Sequence, residues 1–395
     1  MDIVAFKNFT RDLEDLDYLD NFINAEVMRL NSCVNRPVTA LKTPKSRRKR
    51  FNPLVELGEY EFKQKYRYSK ENILKLIEVI RDDLEIERPS GRPGSSSNQV
   101  PVEMQVLVAI RQWGTNELPE IIADIHDITT HTLEKICRHV AAAFASKASR
   151  YIRMPATLAE KEQVTRNFYA IAAFPQVIGT VTCQMLRLEK LLKSDQQSSI
   201  GASPTRCECL MNIQIISDSS FKIRDFDYRL RPLSPKSTHN DQQIFPETRI
   251  KERFEQHEFR GRLLLADENY TCTNYLFTPI EVSQLATKKE ALFNTAHAYT
   301  QASVNKTLQL WRQRFRIIRD VLTCSSFSGA KHLLVALAVL HNIAIDLNDS
   351  CADFINDLSI NEFIPDATFK DYSYRDNDLE KSGAVSRTAF INKYF

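Results

Sequence analysis

Hydrophobic and polar positions follow three rhythms along this chain. From residue 51 to 148 apolar residues recur every three or four positions, the spacing of helices that bury one face. From 177 to 266 they alternate or run on, as half-buried and buried strands do. From 288 to 346 the helical spacing returns. The stretch FPQVIGTVTCQMLRL, residues 174–188, is the pivot. A proline and an apolar run lead into a glycine and then into alternating residues, the pattern of a buried strand entered through a turn. Further strands are expected at 209–217, 221–228 and 262–266, with a polar excursion between the last two. Helices are expected at 288–294, 302–318 and 331–346. Strands followed by helices that cover them predict an α/β core.

Upstream, residues 51–87 read as helical, with Ser69 capping the segment ENILKLIEVIRDDL. Pro, Gly and Ser dominate 88–101, which reads as a loop. Three helices fit between 102 and 148. The first carries Met104, Leu107, Val108, Ile110 and Trp113, the second spans 119–127, and Thr129 or Thr130 caps the third. This is helix-turn-helix spacing, which places a helix in a DNA major groove. His131, Lys135, Arg138 and His139 supply the polar side for that contact. A packing bundle that never meets DNA fits the same pattern, and the unit also carries Glu117, Glu120, Asp124, Asp127 and Glu134. Residues 149–168 read as a connection.

At the start of the chain, residues 1–41 read as a weakly packed helical lead, made acidic by Asp12, Glu14, Asp15, Asp17 and Asp20. The run KTPKSRRKR follows at 42–50. Pro44 and Ser46 keep Lys45, Arg47, Arg48, Lys49 and Arg50 extended, which favours a nuclear-import signal over a solvated linker. Acidic and aromatic residues without periodicity fill 350–378, a segment expected to be partly disordered or draped on the core. SRTAFINKYF then closes the chain as an amphipathic helix. The expected divisions are 1–50, 51–150, 151–347 and 348–395.

Composition narrows the classes. With 395 residues, 43% hydrophobic and 26% charged, the chain reads as a soluble globular protein of two or three domains. A net charge of +3 provides no global field for nucleic acid, so such affinity must come from local patches. The eight cysteines are scattered, and Cys207 and Cys209 lack a second pair at zinc spacing. Reduced structural thiols in an intracellular protein are expected. The start is acidic too early for a secretory signal, and the longest apolar run, 333–340, is far short of the ~20 residues of a membrane span. His341 and Asn342 on an apolar helix predict buried hydrogen bonds, and Trp113 and Trp311 predict core aromatics. No Ser/His/Asp or Cys/His arrangement and no Gly-rich phosphate loop can be traced.

Several ordered blocks together resemble the PIF/Harbinger transposase family, including the Harbinger transposase-derived nucleases domesticated in animals. They are FYAIAAFPQVIGTVTC, THNDQQIF, LLLADENYTCTNYLFTP, FNTAHAYTQASVNKTLQLWRQRFRII, LAVLHNIAID and SRTAFINKYF. The resemblance covers roughly residues 51–347 and the last helix. It implies an α/β fold with an RNase H-like mixed sheet and flanking helices, preceded by an all-α helix-turn-helix-like domain. It also implies an Asp-Asp-Glu triad that holds two Mg²⁺ or Mn²⁺ ions for phosphodiester hydrolysis. A separate Myb/SANT-type partner that supplies DNA recognition and assists nuclear entry is implied as well.

Carried over by position, the triad falls on Thr182, Asp267 and Asn305, so one carboxylate of three survives. No acid lies between Phe168 and Leu188, and Glu189 stands at an odd offset from Thr182, on the other face of a regular strand. No acid lies in 291–319 either; the residues one helical turn from Asn305 are Gln301, Ala302, Leu308 and Gln309. Asp225, Asp227 and Asp241 remain as potential site neighbours, and Asp241 matches the family's His-Asp aspartate. The segment LRPLSPKSTHND lacks the family's Trp-Pro-Gly. Meanwhile Lys306, Arg312, Arg314, Arg316 and Arg319 make the helix basic, either toward DNA phosphate or as a solvated face. The expectation is a catalytically inactive, transposase-like nuclear protein that binds double-stranded DNA or a chromatin protein, with divalent metal not bound. The alternative is a metal-dependent endonuclease with an unconventional ligand set at Asp267 and Asp241.

Overall fold

The computed structural model describes residues 51–86, 100–191, 206–232, 244–319, 321–350 and 377–395. The basic run with Lys45, Arg47, Arg48, Lys49 and Arg50, the acidic lead, most of the Pro/Gly/Ser loop, Asp241 and most of the acidic tail lie outside the described residues.

Among the described residues eight helices precede the sheet: α1 (Pro53–Glu56), α2 (Glu59–Tyr66), α3 (Lys70–Ile86), α4 (Val102–Thr115), α5 (Pro119–Ile125), α6 (Thr130–Ala145), α7 (Ala148–Tyr151) and α8 (Leu158–Ala172). Their starts follow from side-chain caps. Ser69 Oγ accepts from Asn72 N at 3.2 Å, and Thr129 accepts from Thr132 N to open α6. The helix α8 occupies a stretch that the apolar pattern reads mostly as a connection. A capping box of Thr157 and Glu160 starts it, but Val164 and Phe168 are its buried residues, too few to display a period.

The sheet consists of β1 (Val177–Leu191), β2 (Arg206–Ser217), β3 (Ile223–Pro232), β4 (Leu263–Ala266), β5 (Leu276–Phe277) and β6 (Val321–Cys324). The strand order is β3-β2-β1-β4-β5, with β6 beside β1. The three long strands are antiparallel; β4, β5 and β6 add in parallel. This is the RNase H-like mixed sheet. The long β1 has a forked edge: β4 pairs with Val177–Val181 and β6 with Arg187–Lys190, leaving the edge between them to side chains. Gly179 permits the crowding at this junction, because a Cβ there would lie 2.5 Å from Ile216 Cγ2.

After the strands come α9 (Arg249–Glu255), α10 (Lys288–Arg314), α11 (Phe327–Asp346) and α12 (Asn377–Tyr394). The two helices expected at 288–294 and 302–318 are one helix, α10, up to Arg314, after which Phe315 turns extended. Its middle buries His297, Thr300 and Gln301, and these polar residues on the inner face mask the apolar rhythm.

Two apolar clusters hold the chain together. The larger runs without interruption from Phe62, Trp113 and Phe144 of the helices, through Leu186 and Ile213 of the sheet, to Trp311 and Leu337. The second gathers Phe168, Phe174, Val181, Phe277, Phe293 and Phe390. Each fully buried Leu, Ile or Phe adds about 1.5–3 kcal/mol. By length and composition α11 is apolar enough to cross a membrane, yet most of its apolar length is buried inside the protein, chiefly against α6. His341 and Asn342 on α11 make the buried bonds their setting requires: His341 Nε2 to Phe221 O at 2.8 Å, and Asn342 Nδ2 to Ile223 O at 2.7 Å while its Oδ1 accepts from Ile223 N.

Candidate functional site

The register of β1 and β4 places side by side two of the three positions onto which the resemblance carries the triad. Their last pair is Val181 with Ala266, so Thr182 and Asp267 are the next residue on each strand. Beyond Ala266 the chain turns: Asn269 N donates to Asp267 Oδ1 at 2.9 Å, and Tyr270 N to Asp267 O at 3.3 Å. Burial pushes the Asp267 pKa up. The hydrogen bonds from Asn269 and Thr182 oppose this, and the neighbouring Glu268 carboxylate adds to it.

The helix α10 is stitched to β1 by uncharged polar groups. Thr180 Oγ1 lies 3.0 Å from Ser303 Oγ and 3.2 Å from Ser217 Oγ. Gln301 Nε2 donates to Val181 O at 2.7 Å, just where β4 leaves the edge of β1. The other end of that carboxamide, Oε1, is buried without a partner. Asn305 lies one turn further along α10 and is exposed. The side chains of this helix that hydrogen-bond to β1 are therefore Gln301 and Ser303. Sequence reasoning names Gln301 only as a neighbour at i−4 of Asn305; the signal for its role is that spacing.

On the other face of β1, Cys183 pairs with Gln214 of β2. Tyr270 Oη donates to Gln214 Oε1 at 3.5 Å, and burial, with Cys183 and Asp267 nearby, pushes its phenol well above the usual range. Asp225 and Asp227 stand on β3, three strand steps or about 14 Å from β4. The sheet thus keeps them apart from Asp267. Burial, reinforced by Asp227, pushes Asp225 up to about 7.

The other sequence-predicted residues occupy two helices. On α6, His131, Lys135 and Arg138 are exposed opposite the buried Leu133, Ile136 and Val140, whereas His139 is half-buried. On α10, Lys306 is exposed with its Nζ 3.1 Å from Gln309 Oε1, and Arg312 is half-buried. Arg314 turns inward, where it donates to Arg67 O and pairs with Asp349 at 3.2 Å. The basic row on this helix is therefore not one solvated face.

The family described as DDE superfamily endonuclease matches residues 209–342, from β2 into α11. The chain carries a DDE superfamily endonuclease domain. The DDE match takes in Asp267 and Asn305 and begins after Thr182. Over 283 residues the chain is 24% identical to the protein named "Putative nuclease HARBI1" from Homo sapiens, covering 71% of this chain and 76% of that one. The Bos taurus protein of the same name gives the same identity and coverage. "Protein ALP1-like" from Arabidopsis thaliana is 19% identical over 309 residues, covering 74% of this chain and 72% of that one. No solved structure matches the chain at a significant level. The chain is thus homologous to the Harbinger transposase-derived, nuclease-like proteins.

DDE superfamily nucleases generally use divalent metal, and the described residues around Asp267 do not fit a pair of such ions. Among the described residues no group of three or more His, Cys, Asp or Glu side chains is placed to hold a metal. Mg²⁺ and Mn²⁺ require anionic oxygens. The positions onto which the resemblance carries the triad, Thr182, Asp267 and Asn305, offer one carboxylate, a hydroxyl and an exposed carboxamide.

Proposed function

We propose that this chain is a transposase-derived nuclear protein that no longer hydrolyses phosphodiester bonds and uses its DDE domain as a binding scaffold for DNA or for a chromatin-associated partner of the Myb/SANT type. The observation that carries the reading is the register that sets the neutral Thr182 beside Asp267, with the neutral Asn305 exposed on α10, so that these three positions offer one carboxylate. A site built for two cations sets carboxylates against one another, and the ions offset their repulsion. Here one carboxylate stands beside a neutral hydroxyl, too little negative charge to hold two divalent ions. The contacts of Thr180, Ser303 and Gln301 support the same reading, because the groups that fix α10 to β1 beside Thr182 are uncharged.

The test is incubation of the purified chain with supercoiled plasmid in Mg²⁺ and in Mn²⁺. Wild type and Asp267→Asn should be equally inert and fold equally well. Nicking by the wild type that depends on the ion and disappears in Asp267→Asn would establish the alternative, an endonuclease with an unconventional ligand set. Affinity purification from nuclei with mass spectrometry should recover a Myb/SANT-type or chromatin protein recurrently; its absence from the nuclear fraction would remove the scaffold reading.

A further inference from the structure

Lys190 is only 4% exposed, and lysine is among the side chains least often found buried. The sheet register sets a cysteine on each side of it. Cys207 of β2 is its antiparallel partner, and Cys324 of β6 is its parallel partner. Partners on neighbouring strands share a face, with Cα atoms about 5 Å apart. The three side chains therefore form one row on the face that carries the larger apolar cluster, next to a buried row of Leu322, Leu188 and Cys209. The lysine leans toward β6. Its Nζ lies 5.7 Å from the centre of the Phe327 ring, and Phe327 opens α11 three residues after Cys324. Cys207 and Cys324 are free thiols and half-buried, so small solutes reach them. Among the described residues no cysteines are placed to hold a metal, which leaves covalent chemistry as the use for this row.

We propose that Lys190 and Cys324 are a site of reversible oxidative cross-linking, at which hydrogen peroxide joins the cysteine sulfur to the lysine nitrogen. Peroxide first converts Cys324 to its sulfenic acid: the S–H and O–O bonds break, an S–O bond forms, and water leaves. The Lys190 amine, its ammonium proton passed to solvent, then attacks that sulfur. An S–N bond forms, the S–O bond breaks, and one amine proton leaves with the hydroxyl as a second water. Two electrons pass from sulfur to peroxide in all. A dithiol reductant gives them back and restores the free thiol and amine. The link ties β6 to the end of β1 beyond Thr182, so it braces the outer arm of the fork on that strand. The site rests on the register of β1 with β2 and β6, and not on the state of the DDE positions.

The test is peptide mapping by mass spectrometry on the full chain after dilute hydrogen peroxide, with and without dithiothreitol. A linked pair of peptides joining Lys190 to Cys324 is expected, lighter than their sum by the two hydrogens lost, about 2 Da, and absent after dithiothreitol. It should disappear in Lys190→Arg and in Cys324→Ser and persist in Cys207→Ser. The oxidised wild type should melt roughly 5 °C above the reduced protein, because the link closes a long loop, and Lys190→Arg should show no such rise. Oxidation of Cys324 to the sulfinic acid with Lys190 unmodified would overturn the proposal. So would a link made only to Cys207, or one that survives Cys324→Ser. Should Lys190→Arg fail to fold, the contrast between Cys324→Ser and Cys207→Ser decides the matter by itself.

Discussion

Asp349→Ala should destabilise the protein more than any surface change, and the structure supplies the magnitude. The side chains of Arg314 and Asp349 are 2% and 1% exposed. Asp349 Oδ1 pairs with Arg314 Nη1, while Oδ2 accepts from Ser69 N at 3.0 Å and Asn72 Nδ2 at 2.8 Å. Arg314 also donates to Arg67 O, and its guanidinium lies 4.5 Å from the centre of the Tyr68 ring. Removing the carboxylate strands a buried cation and leaves two donors at the start of α3 unmet. Breaking one side of such a pair costs about 3–5 kcal/mol. At about 2 °C per kcal/mol for a chain of this size, the melting temperature should fall by roughly 6–10 °C. The double change Arg314→Met/Asp349→Leu removes both charges and should cost clearly less than the two single changes added together. Differential scanning fluorimetry on the four proteins completes the cycle. A single-mutant loss below about 1 kcal/mol, or strict additivity, would refute the assignment of a buried, mutually dependent pair.

Three other outcomes follow. His126, His297 and His341 are buried, and burial lowers each to about 4 from an ordinary value of 6.5. Their contribution is therefore complete above pH 6.5 and lost as pH falls toward 4, up to about 3 kcal/mol for each ring; a urea midpoint that stays constant across that window would contradict it. Thr182→Asp/Asn305→Glu should melt lower than wild type without metal, through repulsion at Asp267, and recover with millimolar Mn²⁺, whereas wild type should not respond; a wild-type rise of several degrees would mean that the native site already holds the ion. If α6 meets DNA, Lys135→Ala/Arg138→Ala should weaken duplex binding and flatten its salt dependence by about two counter-ions; binding that is insensitive to both residues would assign the three-helix unit to packing alone.

What was readable in advance depended on the length and polarity of each element. The strand β1 was evident because its apolar positions alternate from Val177 through Leu188 behind a clear turn. The two-residue β5 and four-residue β6 are too short to display a period, so the fork on β1 was not foreseeable. The helix α8 was largely hidden by its polarity, and the unity of α10 by the buried His297, Thr300 and Gln301. Thr182 and Asp267 were connected by family resemblance and not by spacing. Their contact depends on β4 ending at Ala266, a fact of register. Gln301 was overlooked as a tether because its acceptor is a backbone carbonyl exposed only where two parallel neighbours leave a gap. Arg314 resembled its basic neighbours until Asp349, far along the chain, supplied a buried partner.

Helices before residue 150 and the strands after it share one apolar cluster, and α6 lies directly on α11. Truncation mapping therefore carries a hazard in this protein. A fragment that stops at the end of α6 would expose Leu133, Ile136, Val140 and Phe144 to solvent, and the complementary fragment would bare α11. Interaction lost in either fragment would report a misfolded piece, not the location of an interface. Single changes at exposed positions such as Lys135 or Tyr299 leave that cluster whole and are the informative reagents.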